Sequence, residues 1–168
     1  MNISMYNASI PVMIKMMGNL DAILDKAIAH AATRKIDDAA FVEARLFPDM
    51  FNLARQVRVA TDMSKGAGAR LAGIDIPKFE DNEKTLPELK ARLRRCIDFL
   101  QTLTPAQIDG SEERAITLTA GKHTLNFKGL EYLNSWVLPN FYFHVTTAYN
   151  LLRHGGVEIG KTDFLGKA

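Results

Sequence analysis

Between Ser4 and Ala32 the apolar residues fall at intervals that only a helix brings to one side. Ile10, Met13, Ile14, Met17, Leu20, Leu24, Ala27 and Ile28 follow one another in steps of three and four. A helix turns once in about 3.6 residues, so these side chains stack on one face, and that face must be covered by another element. The spacing predicts a first long helix over Ser4 to Ala32. Pro11 either kinks it or marks where its regular part begins. Met13 and Met17, flanked by Met16, make the face pliable; core filling is their ordinary use, a ligand wall the rarer one.

Two further stripes behave alike. Met50, Leu53, Ala54, Val57, Ala60, Ser64, Ala67 and Leu71 define a second helix ended by Gly73, with Pro48 suited to its first turn and Asp49 near its positive end. Its small residues Ser64, Gly66, Ala67, Gly68 and Ala69 would let a neighbour approach closely. Leu86, Leu89, Leu93, Ile97 and Leu100 define a third, opened by the capping-box pattern Thr85-Leu86-Pro87-Glu88. The stretch IDIPKFEDNEKT joins the two and is long enough to cross the end of a bundle. Shorter helical turns are expected at Asp38 to Ala44 and at Thr104 to Gln107.

The period then changes. In RAITLTAGKHTLNFKG, Ile116/Leu118 and Leu125/Phe127 alternate around Ala120-Gly121-Lys122, which reads as a β-hairpin covering one edge of the bundle. A last helix has Pro139 near its start and runs to about Arg153, preceded by a turn through Glu131 to Trp136. The architecture expected is all-α: a four-helix bundle with a small β-hairpin before the last helix, in one domain over 1–168.

Charge excludes some partners. Lys+Arg 21 against Asp+Glu 19 is too balanced to argue for nucleic acid. The lone Cys96 leaves no internal disulfide and no multi-cysteine metal site, which suits a cytoplasmic protein. The first residues lack a basic start, and Asn7, Pro11 and Lys15 break their apolar stretch, unlike a secretory signal. The uncharged run Tyr132 to Leu152 has the length of a membrane span. Asn134, Pro139, Asn140, His144 and Asn150 make its insertion costly, so it is read as a buried bundle helix with no membrane partner.

One motif invites a nucleotide. Gly155, Gly160, Lys161 and Thr162 occupy the fixed places of G-x-x-x-x-G-K-[ST]. That loop works by joining a buried strand to a helix N-terminus, where backbone N–H groups converge on phosphates. Here the preceding FYFHVTTAYNLLRH runs at helical spacing, and the short tail from Asp163, with Gly166 in it, leaves no place for the phosphate-binding helix. Gly155 and Gly156 are read as a helix C-cap instead.

His144 is the most informative residue. Phe141, Val145, Ala148 and Leu152 form the apolar stripe of the last helix, and His144 lies within it, so its ring should face the interior. A buried imidazole needs a partner; Asp49 and Gln56 of the second helix could supply it. Three uses compete: a core histidine satisfied by a carbonyl, Gln56 or a Tyr; a small-molecule pocket with aromatic walls; or a metal site. The last lacks a second imidazole, since the positions four residues away hold Asn140 and Ala148. His30 and His154 lie near helix C-termini and His123 on the hairpin turn. Glu80, Asp81 and Glu83 in FEDNE read as a solvated acidic loop, without the glycine and spacing of a calcium loop.

The stretches ARLFPDMFNLARQV, RLAGIDIPKFEDNEKT and LPNFYFHVTTAYNLLRHGGVEIGKTDFLG resemble a bacterial and fungal family described as a domain of unknown function, within the DinB/YfiT-like superfamily of candidate metalloenzymes. The resemblance spans nearly the whole chain and implies an up-down-down-up bundle, with the glycine-rich stretch as a family tail. It also implies a metal, zinc or nickel, held by one histidine on the second long helix and an H-x-x-x-H pair on the last. Here only His144 matches, and the second helix offers Asp49, Gln56 and Asp62 but no histidine. The function expected is therefore small-molecule or degenerate-metal-site binding, with His144, Gln56, Asp49 and Asn140 as candidate ligand-binding residues. Two alternatives stand beside it. One is a metal-dependent transferase or hydrolase using His144, Asp49 and Gln56. The other is a structural homodimer packed through the face around Gly66.

Overall fold

The computed structural model describes residues 3–166. Four long helices dominate: α1 (Met5–Arg34), α3 (Leu53–Ala72), α4 (Leu86–Gln101) and α7 (Leu138–His154). Between them lie α2 (Asp38–Val42), α5 (Pro105–Ile108), the hairpin β1 (Ala115–Ala120) and β2 (His123–Lys128), and α6 (Gly129–Glu131); α8 (Lys161–Leu165) closes the described chain.

Side-chain pairings fix the directions. Across α1 and α4, Asp21 meets Lys90 while Ile10 lies near the Leu100 end, so these two run antiparallel. Across α3 and α4, Thr61 meets Arg92 and Gly68 meets Leu100; both numbers rise together, so these run parallel. Across α3 and α7, Gln56 meets His144 and Arg70 meets Tyr132 just before α7, which is antiparallel again. The bundle is therefore up-down-down-up, with α1 and α3 on opposite corners.

Parallel neighbours need a connection that travels the length of the bundle, and residues 74–85 provide it. Arg92 of α4 pins that connection. Its Nε donates to Thr61 Oγ1 (2.7 Å), one terminal nitrogen to Glu83 Oε1 and the Glu80 carbonyl (each 2.9 Å), and the other to Asp62 (3.0 Å); Asp81 adds an ion pair at 3.0 Å. Arg58 grips Glu83 from the other side (2.8 Å) and also takes its carbonyl (2.7 Å). The Arg95 guanidinium lies 4.2 Å from the centre of the Phe79 ring, inside the about 6 Å reach of a cation–π contact. The Arg92 side chain is only 2% exposed. Burial works against its charge, but Glu83, Asp62 and Asp81 outweigh that and hold it above its ordinary value. Burial likewise tends to raise the Glu83 carboxyl; bonds from Arg92 and Arg58 outweigh it and bring it below its ordinary value. Of the acidic stretch, Glu83 is docked, whereas the Glu80 and Asp81 side chains stay exposed as expected.

The helix starts follow the chain's own chemistry. Ser4 caps α1, Asn52 caps α3, and Thr85 with Glu88 forms the expected capping box on α4. α1 begins at Met5, as the Ser4 start predicts, and continues through Pro11, which lies on its exposed side. The start of α3 differs from the sequence reading. Pro48, Asp49 and Met50 precede α3 rather than opening it: Asn52 accepts from the Arg55 N–H and sets the start there. The stripe Ser64 to Ala69 is wholly buried inside the chain, where Gly68 admits Leu100, Leu103 and Ile10. The face around Gly66 is therefore filled by the chain's own helices and offers no dimer surface.

Before α7, Tyr132–Val137 widens into a π-helical turn, with the Leu138 N–H bonding the Leu133 carbonyl. Pro139 brings no N–H to this ladder, and the Asn140 side chain caps the Trp136 carbonyl (2.7 Å) instead. The hairpin pairs Ile116 with Phe127 and Leu118 with Leu125. Ile116 and Leu118 enter the core, and Phe127 leans on Tyr132 and Trp136. After α7, Gly156 takes the left-handed conformation. No strand precedes Gly160, so the phosphate-loop pattern lacks its scaffold. A helix does start at Lys161, contrary to expectation, but it is the short α8, tied to α1 by Lys26–Asp163 and by Asn19 on the Phe164 carbonyl.

Removing the guanidinium by Arg92→Ala should cost about 3 kcal/mol in a urea titration, the low end for buried pairs because Asp62 and Asp81 keep water contact. Two glycines should respond oppositely. A Cβ on Gly129 would lie 1.9 Å from the Ser111 carbonyl oxygen, so Gly129→Ala should lose at least about 1–3 kcal/mol. Gly18 has open space in mid-helix, so Gly18→Ala should gain roughly 0.5–1 kcal/mol.

Candidate functional site

His144 lies in the second turn of α7 and faces α3, as its place in the apolar stripe predicts. Its side chain is buried, with 7% of the residue exposed. Nδ1 lies 2.7 Å from Gln56 Oε1. The Gln56 amide is itself oriented, because its Nε2 donates to the Phe51 carbonyl (3.2 Å). An amide oxygen can only accept, so His144 Nδ1 carries the proton. Burial lowers the His144 pKa, which keeps the ring neutral. The lone pair is then on Nε2, and no hydrogen bond reaches that atom among the described residues.

The ring forms part of a depression of ≈ 200 Å³ with Asp49, Met50, Phe51, Gln56 and Phe143. Phe51 stands nearly parallel to the imidazole, 6.4 Å between centroids, and Phe143 meets it edge-on at 5.2 Å. Phe143 is 57% exposed, so its ring forms the outer wall of the depression. The Arg55 guanidinium lies 4.0 Å from the centre of the Phe51 ring. The walls come from the segment ahead of α3 and from α7, so the antiparallel packing of those two elements creates the site.

Of the candidates named from sequence, Gln56 and His144 come together as expected. Asp49 does not sit on α3; it is exposed in the preceding loop and lines the depression without bonding His144. Asn140 is not a wall at all, since its side chain is engaged with the Trp136 carbonyl. His30 packs edge-on against Phe41, and neither it, His123 nor His154 joins the site. Phe51 and Phe143 went unnoticed in the sequence. The available signal was Phe143 standing off the apolar stripe of α7, where a polar residue would be ordinary.

The donor set does not fit zinc or nickel. His144 can offer one nitrogen, Asp49 one exposed carboxylate, and Gln56 Oε1 is already accepting from Nδ1. No group of three His, Cys, Asp or Glu able to hold a metal occurs among the described residues. His144, Asp49 and Gln56 together offer one imidazole nitrogen, one exposed carboxylate and one neutral amide oxygen, a poor set for either metal. Two larger depressions exist. The one of ≈ 370 Å³ beside Phe79 is lined by Arg92, Glu83 and Glu88, whose polar atoms are spent on the crossover and the α4 cap. The one of ≈ 480 Å³ along Lys26, His30, Thr33 and Arg34 is an open surface trough with no buried polar group.

The chain matches the domain of unknown function DUF1993 over residues 5–165. It belongs to that family. The crystal structure of a DinB family member protein from Shewanella denitrificans is similar, with a TM-score of 0.86 and 39% identity over 97% of this chain and 92% of that one. The DinB-like fold implied by the resemblance is thus established. No curated protein matches the chain. Among the described residues no helix is long and apolar enough to cross a membrane.

A depressed imidazole makes stability pH-dependent with a defined sign. The unfolded chain binds a proton near the ordinary value of 6.5, the folded chain only at lower pH. The contribution is complete above 6.5 and falls away as pH drops through the folded value. Urea midpoints taken from about pH 7.5 down to about 5 should decline in the native chain and decline less in His144→Gln.

Proposed function

We propose that this member of DUF1993 is a small-molecule-binding protein whose ligand seats against His144, with no reaction assigned to it. The observation that carries this is the pairing of the ring: Gln56 fixes Nδ1 and leaves Nε2 without a protein partner in an aromatic-walled depression. That nitrogen is not among the buried unsatisfied polar atoms of the described residues, so it opens to the depression, where a ligand can take the place of water. Cys96 supports a cytoplasmic setting, since it is single, buried and has its thiol pushed up to about 12 by that burial.

The test is a fragment screen read by the His144 Cε1–H resonance and by Tm. Ligands of this site should move the resonance and raise Tm in the native chain, and their effect on Tm should vanish in His144→Phe. Equal stabilisation of both proteins overturns the reading. Elemental analysis of untagged protein gives an independent check: stoichiometric zinc or nickel, lost in His144→Ala, would replace small-molecule binding with the metal-dependent alternative. The homodimer alternative retains one support, the exposed Leu46, Phe47 and Phe143. Light scattering showing a monomer at high concentration would remove it.

A further inference from the structure

We infer that the ligand of the His144 depression is a small organic amine, bound as its ammonium ion. This rests on the reading of the depression as a ligand site and names the chemistry that site selects.

The polar side chains of the walls decide the sign. Gln56 accepts from His144 Nδ1 and gives one amide N–H to the Phe51 carbonyl, which leaves it one neutral N–H. The other polar side-chain groups of the lining are the Nε2 lone pair of His144 and the carboxylate of Asp49. Both of these accept, and Asp49 brings the negative charge. Asp49 forms no ion pair among the described residues. A ligand therefore gains by bringing N–H donors and positive charge. A carboxylate would meet a lone pair and a like charge.

The nearby cations do not reverse this. Arg55 stacks on the Phe51 ring and Arg45 donates to the Met50 carbonyl (2.5 Å); neither side chain lines the depression. Glu43, the other neighbouring carboxylate, bonds Asn52 (2.6 Å). Phe51 and Phe143 present aromatic surface, which receives either an apolar body or the ammonium itself. The depression of ≈ 200 Å³ gives a ring and its substituent a place between these walls. Acidification should oppose binding, because a proton on Nε2 turns the acceptor into a cationic donor facing the ammonium.

The probes are benzylamine, benzyl alcohol and benzoate, titrated at pH 7.5 by NMR against the full chain and Asp49→Asn. Benzylamine should shift the His144 Cε1–H resonance and bind roughly fivefold more tightly than benzyl alcohol, a ratio suited to a half-solvated charge pair. Asp49→Asn should erase that ratio by weakening benzylamine more than benzyl alcohol, and benzoate should bind weakest to the native chain. Equal affinity for amine and alcohol, or no effect of Asp49→Asn on the ratio, overturns the amine inference and leaves the ligand site standing. Failure of all three probes to move His144 overturns the amine inference and counts against the site itself.

Discussion

A nearly buried guanidinium sets the arrangement of this bundle. Two consecutive helices running the same way require the chain to travel back along their length, and such a return has no regular backbone pairing to hold it. Arg92 supplies the hold by meeting Thr61 and Asp62 on α3 and Glu80, Asp81 and Glu83 on the returning segment. Arg58 completes the contact with Glu83. Burial costs the charges their hydration, and only several simultaneous partners offset that cost. Because α3 and α4 are held parallel, α3 turns its other flank to α7 in antiparallel register.

That register makes the site. Gln56, near the start of α3, comes opposite His144, near the start of the regular part of α7. The amide is oriented by the backbone turn ahead of α3, and the imidazole tautomer is oriented by the amide. A loop and a helix remote in sequence thereby present one unpaired nitrogen among aromatic rings. The DinB-like fold thus carries at this place one imidazole paired with an amide.

The tail shows how context overrides a motif. Gly155, Gly160, Lys161 and Thr162 satisfy a phosphate-binding pattern letter by letter, yet a helix comes before them and a single short helix follows. Gly156 turns the chain, and α8 lies back on α1 through Asn19 and Lys26. The pattern is a helix stop and a packed tail.

Sequence alone determined what depends on neighbours along the chain. The apolar periods gave the four helices, Thr85 and Glu88 gave the cap of α4, and Ile116/Leu118 with Leu125/Phe127 gave the hairpin. His144 was recognisable as inward-facing because it sits in the stripe of its own helix. Tertiary structure decided what depends on contacts across the chain. Asn52, not Pro48, starts α3, which moved Asp49 off the helix; the π-helical turn ahead of Pro139 gave Asn140 a backbone to cap. Glu83 reads as one of a solvated acidic run until Arg92 and Arg58 are seen beside it, and Phe51 and Phe143 become walls only when α7 packs against the loop before α3. Periodicity reports which way a side chain points, whereas hydrogen-bond partners and cavities arise only where distant segments meet.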